Sequence, residues 1–148
     1  MAAIYRKSLA NVGCSIGGNV ISEGGGDGEF VSVTAPQRAA SKIGVHGDAV
    51  FYDTPNPIYE VTLTLLETTT ANSTLQSLYN AQVDRTTLGT LDFMLEDVGT
   101  SETLSGQCLI VKEPDRGKAA EPGNYQWMLH VASENPWGYS ERTIIVAP

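Results

Sequence analysis

The chain has no long hydrophobic run. None of its apolar stretches approaches the roughly 18–20 residues of a membrane span, and the opening Met-Ala-Ala-Ile-Tyr-Arg-Lys lacks the apolar stretch of a secretory signal. A protein made and kept in the cytoplasm until something releases it is therefore expected. Cysteine is scarce: Cys14 and Cys108 are two isolated thiols, which in a reducing compartment read as small buried hydrophobes rather than a bridge and suggest no redox function. Positive charge is scarce too. Nine Lys and Arg stand against 17 Asp and Glu, a formal charge of −8, which argues against a nucleic-acid reader that grips phosphates and against docking on anionic membranes. Charged residues make up 18% of the chain, and Gly, Thr, Ser, Ala and Val are plentiful, the balance of a sheet protein with many turns. At 148 residues a single domain over residues 1–148 is expected, large enough to bury about 68–70% of its unfolded surface without disulfide or metal.

What is present centres on one stretch, residues 56–82. From Tyr59, the positions Tyr59, Val61, Leu63 and Leu65 are apolar while Glu60, Thr62 and Thr64 are polar, the period-2 signature of a strand with one buried face. Leu66 breaks the alternation, and Thr68-Thr69-Thr70 leads to Asn72 and Ser73, either of which can cap a helix. Ser73 followed by Gln76 fits a capping box. The predicted helix, about residues 73–85, carries Ala71, Leu75, Leu78, Tyr79 and Gln82 on one side, a packing stripe against a sheet.

Everything else reads as β. Residues 9–22 suggest two short strands joined by a Gly17-Gly18 turn, followed by a Gly-rich loop over 23–28 and a strand over 29–34. Residues 37–52 read as an extended hairpin whose turn is Gly44-Val45-His46-Gly47-Asp48. That arm bears Ile43, Val45, Val50, Phe51 and Tyr52, which it cannot bury by itself, so it is a lid or a limb that packs on another chain. After the helix, Leu91, Phe93 and Leu95 oppose Asp92, Met94 and Glu96 on one strand, and further strands are predicted over 104–112, 125–131 and 142–146. A loop of mixed charge fills 113–123.

Candidate chemistry is thin. Gly13-Cys14-Ser15-Ile16-Gly17 matches the G-x-S-x-G nucleophile elbow letter for letter, with His130 and Asp97 or Asp115 as nominal partners. That motif needs a helix directly after the Ser, whereas Gly18-Asn19-Val20-Ile21 continues as strand. The loop at 24–28 lacks the Gly-Lys-Ser/Thr of a phosphate cradle. His46 and His130 have no second ligand at metal spacing. Asp92 and Glu96 share a strand face, where a solvated acidic surface is the plainer reading than acid–base work. Trp127 sits at an apolar strand phase and reads as core. No enzyme, cofactor or metal is expected.

The order of these pieces resembles a known family, the tail tube proteins of contractile-tailed bacteriophages. The resemblance is carried by Asn11-Val12-Gly13-Cys14-Ser15-Ile16-Gly17-Gly18, Gly28-Glu29-Phe30-Val31-Ser32-Val33 and Gly44-Val45-His46-Gly47-Asp48. It continues through Val61-Thr62-Leu63-Thr64-Leu65-Leu66-Glu67-Thr68-Thr69-Thr70-Ala71-Asn72, Leu75 and Leu78, then Lys112-Glu113-Pro114-Asp115 and Gln126-Trp127-Met128-Leu129. In two places the chain departs from the family: His46-Gly47-Asp48 stands where an Asp-Gly order is expected, and Asn56-Pro57 where a charged pair is expected.

The resemblance implies a mainly β, sandwich- or barrel-like tail tube fold with one flanking helix, an architecture shared with type VI secretion tube proteins. It implies hexameric rings stacked into a hollow tube in a virion tail assembled in the host cytoplasm, with a contractile sheath outside and baseplate and tail-terminator proteins at the ends. DNA passes without specific binding. On that basis Ile43, Gly44, Val45, His46, Gly47, Asp48, Val50, Phe51 and Tyr52 are expected to form an arm reaching the neighbouring ring. Glu60, Thr62, Thr64, Asp92 and Glu96 are expected to face the lumen, where six copies at −8 give 6 × −8 = −48 per ring and repel DNA phosphates. The alternative is a soluble β-sandwich module that binds a ligand or glycan through Trp137, Tyr139 and the Gly-rich loops. An enzyme dependent on Ser15 ranks third.

Overall fold

The computed structural model describes residues 3–4, 12–21, 30–85, 89–133, 137–139 and 145–146. The strands are β1 (Ala3–Ile4), β2 (Val12–Ile16), β3 (Asn19–Ile21), β4 (Val31–Thr34), β5 (Ala39–Ile43), β6 (Ala49–Asp53) and β7 (Ile58–Leu66). After the helix α1 (Ala71–Val83) come β8 (Leu91–Asp97), β9 (Glu102–Lys112), β10 (Asn124–Ala132), β11 (Gly138–Tyr139) and β12 (Ile145–Val146). The Gly-rich loop at 23–28, Glu29 and most of the strand predicted over 142–146 lie outside the described residues, as does the side chain of Tyr139.

One antiparallel sheet dominates, in the order β3-β2-β8-β9-β10-β7-β4, with β11 beside β9. Its centre is the ladder between β7 and β10, nine register pairs from Ile58↔Ala132 to Leu66↔Asn124. Along β7 the alternation legible in the sequence buries Tyr59, Val61, Leu63 and Leu65. Trp127, Leu129 and Val131 do the same along β10, and Phe93 and Leu95 along β8. Buried residues from β3 to β7 join one cluster, so the sheet folds over its own inner face in a β-sandwich-like wrap. Among the described residues the fold is mainly β with one flanking helix, as the sequence implied.

The first hairpin follows from two glycines. Gly17 and Gly18 have φ of 57° and 85°, the two left-handed positions that a two-residue turn of the I′ type requires. Gly13, Ser15 and their neighbours therefore lie in a strand that turns into another strand, and no nucleophile elbow forms.

Helix α1 covers the inner face near β7, β9 and β10. Leu75 is fully buried, and Ala71, Leu78 and Tyr79 pack against the core. Burial of Leu75 contributes about 1.5–3 kcal/mol. The Tyr79 and Trp127 rings meet edge-on with centroids 6.5 Å apart. The helix begins two residues earlier than predicted and without the expected capping box: the N-cap is Thr70, and its side chain makes no capping bond. Asn72 is drawn inward instead, its Nδ2 donating to the Leu66 carbonyl at 2.9 Å and its Oδ1 accepting the Trp127 indole N–H at 3.0 Å. Gln76 is drawn outward, donating to Asn80 Oδ1 and Glu113 Oε2 at 3.0 Å each.

The far end of the helix repairs a break in the sheet. The β9–β10 register slips between Met128↔Lys112 and Leu129↔Ile110, leaving Val111 as the extra residue of a bulge. Gln82 Nε2 donates to the Ile110 carbonyl at 2.7 Å, and the Ile110 N–H donates to Gln82 Oε1 at 3.1 Å. The side-chain amide thus supplies both bonds that a neighbouring strand would make.

Candidate assembly surfaces

Three surfaces remain once the core is accounted for. The first is the arm. Among the described residues, strands β5 and β6 pair only with each other, Ala39↔Asp53 through Ile43↔Ala49. The turn closes through Gly44 N–H to Asp48 O at 2.7 Å and Gly47 N–H to Gly44 O at 3.0 Å, with Gly47 at φ 85°. At the root, the Thr54 N–H donates to Arg38 O at 2.8 Å, and Arg38 Nη2 donates to Ser133 O at 3.0 Å. Beyond that root the hairpin is open to solvent: Val45 is 100% exposed, Phe51 81% and Ile43 74%, with Val50 and Tyr52 more than half exposed. His46 and Asp48 lie in the turn and are exposed. An apolar limb of this kind protrudes at a cost unless something covers it.

The second surface is the outer face of the sheet. Glu60 stands in register between His130 on β10 and Thr34 on β4, and Thr62 between Met128 and Ser32. Asp92 is opposite Gln107, and Glu96 lies between Thr103 and Gly13. Register partners point to one side of a sheet, so the three acids share the face turned away from the core, and all three are exposed. Thr62 is half-buried on that face. Thr64 departs from the expectation: it is 5% exposed, at the row where Phe30 leads into β4 and its carbonyl accepts the Thr64 N–H at 2.8 Å. Gln107 Nε2 donates to Asp92 Oδ1 at 2.5 Å, and His130 Nε2 lies 4.0 Å from Glu60 Oε1. Ser15 on β2 and His130 on β10 are separated by β8 and β9, so they form no catalytic pair. Asp97 caps its own turn, accepting the Gly99 N–H at 3.0 Å, and Asp115 pairs with Lys112 at 3.1 Å.

The third surface was not singled out in the sequence. The loop of mixed charge, 113–123, folds back along the first turns of α1 and encloses a cleft of about 410 Å3 lined by Glu67, Thr69, Gln76, Arg116, Lys118 and Tyr125, among others. The Arg116 guanidinium donates to Gln76 Oε1 and lies 5.3 Å from the centroid of the Tyr125 ring. Lys118 Nζ donates to the Tyr125 hydroxyl at 2.5 Å and lies 3.9 Å from Glu67 Oε2. The bond to Tyr125 raises the Lys118 ammonium above its ordinary pKa. Only the clustering of Lys112, Arg116 and Lys118 in an otherwise acidic chain signalled this site beforehand.

The cysteines belong to none of these surfaces. Cys14 and Cys108 are free and buried, and burial pushes both thiols up to about 12 from an ordinary value of 9.0. Among the described residues no group of three or more His, Cys, Asp or Glu is placed to hold a metal. No described helix is long and apolar enough to cross a membrane. Trp137, named for a ligand site, packs partly buried against the core cluster.

No protein-family profile matches the chain, and no curated protein matches it. Among solved structures it is similar in fold to the cap of the anti-feeding prophage, the AFP tube terminating cap, solved by cryo-electron microscopy. The TM-score is 0.52 at 13% sequence identity, over 99% of this chain and 95% of that one. At that identity the likeness is one of fold.

Proposed function

We propose that the chain is a structural protein of a phage-type tail, whose copies form hexameric rings that stack into the hollow inner tube through which DNA passes into the host. In this reading a contractile sheath encloses the tube, baseplate and tail-terminator proteins meet its ends, and the copies are assembled in the host cytoplasm. No catalysis and no cofactor are proposed. The observation that carries it is the end-to-end likeness in fold to a protein that terminates a tube. The exposed arm supports it, because Ile43, Val45 and Phe51 call for a second chain to cover them. The acidic outer face supports a lining that repels phosphates, with Glu60, Thr62, Asp92 and Glu96 as the lumen residues. Thr64 is dropped from that set on its burial.

The same likeness favours a second reading within this class: the chain is itself a cap, forming one ring that ends a tube. Electron microscopy of purified protein, with its mass in solution over a concentration series, separates the readings. Tubes of uniform width that shorten or vanish on deletion of residues 43–49 support the tube protein. Single rings that never stack support the cap. A monomer at every concentration, even with preformed tails present, leaves the ligand- or glycan-binding module ahead.

A further inference from the structure

The arm and the cleft stand at opposite ends of one ladder. The arm is rooted where β7 and β10 begin and end at Ile58↔Ala132, since the Ser133 N–H donates to Pro57 O at 2.9 Å and Ser133 O accepts from Arg38. The cleft opens at the other end, at Leu66↔Asn124, where the Glu67 N–H donates to Gly123 O at 2.9 Å and Tyr125 lines the wall. Nine paired residues at about 3.3 Å each put the two ends roughly 26 Å apart. Copies related by translation along this ladder bring the arm of one toward the cleft of the next.

The two surfaces are complementary in charge. The arm turn presents Asp48, exposed and without a side-chain partner among the described residues. The cleft presents Arg116 and Lys118 against a single acid, Glu67, a balance of 2 − 1 = +1 in a chain of −8. Thr69 also lines it; this residue is 9% exposed and its hydroxyl has no hydrogen bond among the described residues. A hydroxyl open to the cleft, in a lining that also holds two cations, is a donor set for an oxyanion. A contact between two different patches also repeats head to tail, and between copies related by translation it does not close, which yields a stack rather than a dimer.

We infer that the arm turn of one copy seats in the cleft of the next copy along the stack, its Asp48 carboxylate held by Arg116, Lys118 and the Thr69 hydroxyl. The inference rests on the stacked-ring reading above and supplies the receptor for its arm.

Charge exchange tests it. Asp48→Lys alone, and Arg116→Glu with Lys118→Glu, each raise the concentration needed for stacking by roughly tenfold, and the three substitutions in one chain bring it back. A second variant, Asp48→Cys with Lys118→Cys, gives a ladder of covalent oligomers on oxidation, against a background of buried native thiols. All these positions are exposed, and thermal melts check that each variant folds. If wild-type protein stacks while the single-site charge variants stack equally well and no ladder forms, the inference is overturned and the stacked-ring reading stands. Wild-type protein that never associates, with or without preformed tails, overturns both.

Discussion

Asn72 and Trp127, 55 residues apart, are joined in the core by a hydrogen bond of 3.0 Å from the indole Nε1 to the amide Oδ1. The same amide donates to the Leu66 carbonyl at 2.9 Å, so one polar side chain satisfies the indole on β10 and a carbonyl at the end of β7 while fixing the start of α1. Asn72→Leu leaves the Trp127 indole N–H buried without its partner, while the Leu66 carbonyl keeps the Thr69 N–H at 3.0 Å. The expected loss is about 1–3 kcal/mol, read as a lower urea midpoint at unchanged m-value. A midpoint equal to wild type would mean that water replaces the amide and that the pair does not anchor the helix.

This pair also shows where sequence reading reached and where it stopped. Strands β7, β8 and β10 were legible because one face is buried and the other wet, which writes itself as alternation from Tyr59, Leu91 and Tyr125. The turn at Gly17-Gly18 was legible because its backbone admits few other residues. The arm was legible as an excess of apolar residues with nowhere to go. The capping box was misread because Ser73 and Gln76 are judged by neighbours three residues away, whereas Asn72 and Gln76 are claimed by Trp127, Glu113 and Arg116 from across the fold. The bulge at Val111 was hidden in the continuous apolar run Cys108-Leu109-Ile110-Val111, where an inserted residue disturbs no pattern. The cleft was missed for a similar reason: its walls come from Glu67, α1 and a loop some 40 residues later, which only the fold brings together.

Of the described glycines, Gly106 is the most closely packed. A Cβ there would collide with the Ala132 carbonyl oxygen and lie 3.2 Å from Ser133 Cβ, and because the obstacle is backbone it cannot swing away. Gly106→Ala is expected to destabilise by about 1–3 kcal/mol. A drop in melting temperature checks it. The neighbouring substitution Ser105→Ala, on the exposed outer face, should lie within about 0.5 kcal/mol of wild type.

The two thiols make stability depend on pH in the alkaline range. Folding raises the pKa of Cys14 and Cys108 from 9.0 to about 12, chiefly through burial. Below pH 9 both states are protonated and the contribution is fully present. Between about 9 and 12 the unfolded chain releases protons that the folded chain keeps, so stability falls as pH rises. Cys14→Ala with Cys108→Ala should flatten that fall relative to wild type, measured as unfolding midpoints at pH 8 and pH 10.5. The same burial predicts that neither thiol reacts with a maleimide at pH 8 until denaturant is added; rapid labelling of the native protein would contradict it.

The outer face offers the most direct test of a channel lining. Glu60 and Glu96 are exposed on it and accept no side-chain hydrogen bond among the described residues, Glu60 having only the long, exposed contact with His130 at 4.0 Å, so Glu60→Lys with Glu96→Lys should fold and assemble as wild type while moving the charge from −8 to −8 + 4 = −4 per chain. If these positions line the tube, twelve cations per hexameric ring replace twelve anions along the path of the genome. Particles built from the variant should then retain DNA at low salt and release it as salt rises, because phosphate contacts weaken steeply with ionic strength. Wild-type particles should empty at both salt levels. Emptying of the variant at low salt, with tubes of normal length, would place this face on the outside of the tube and move the search for its lining to another surface.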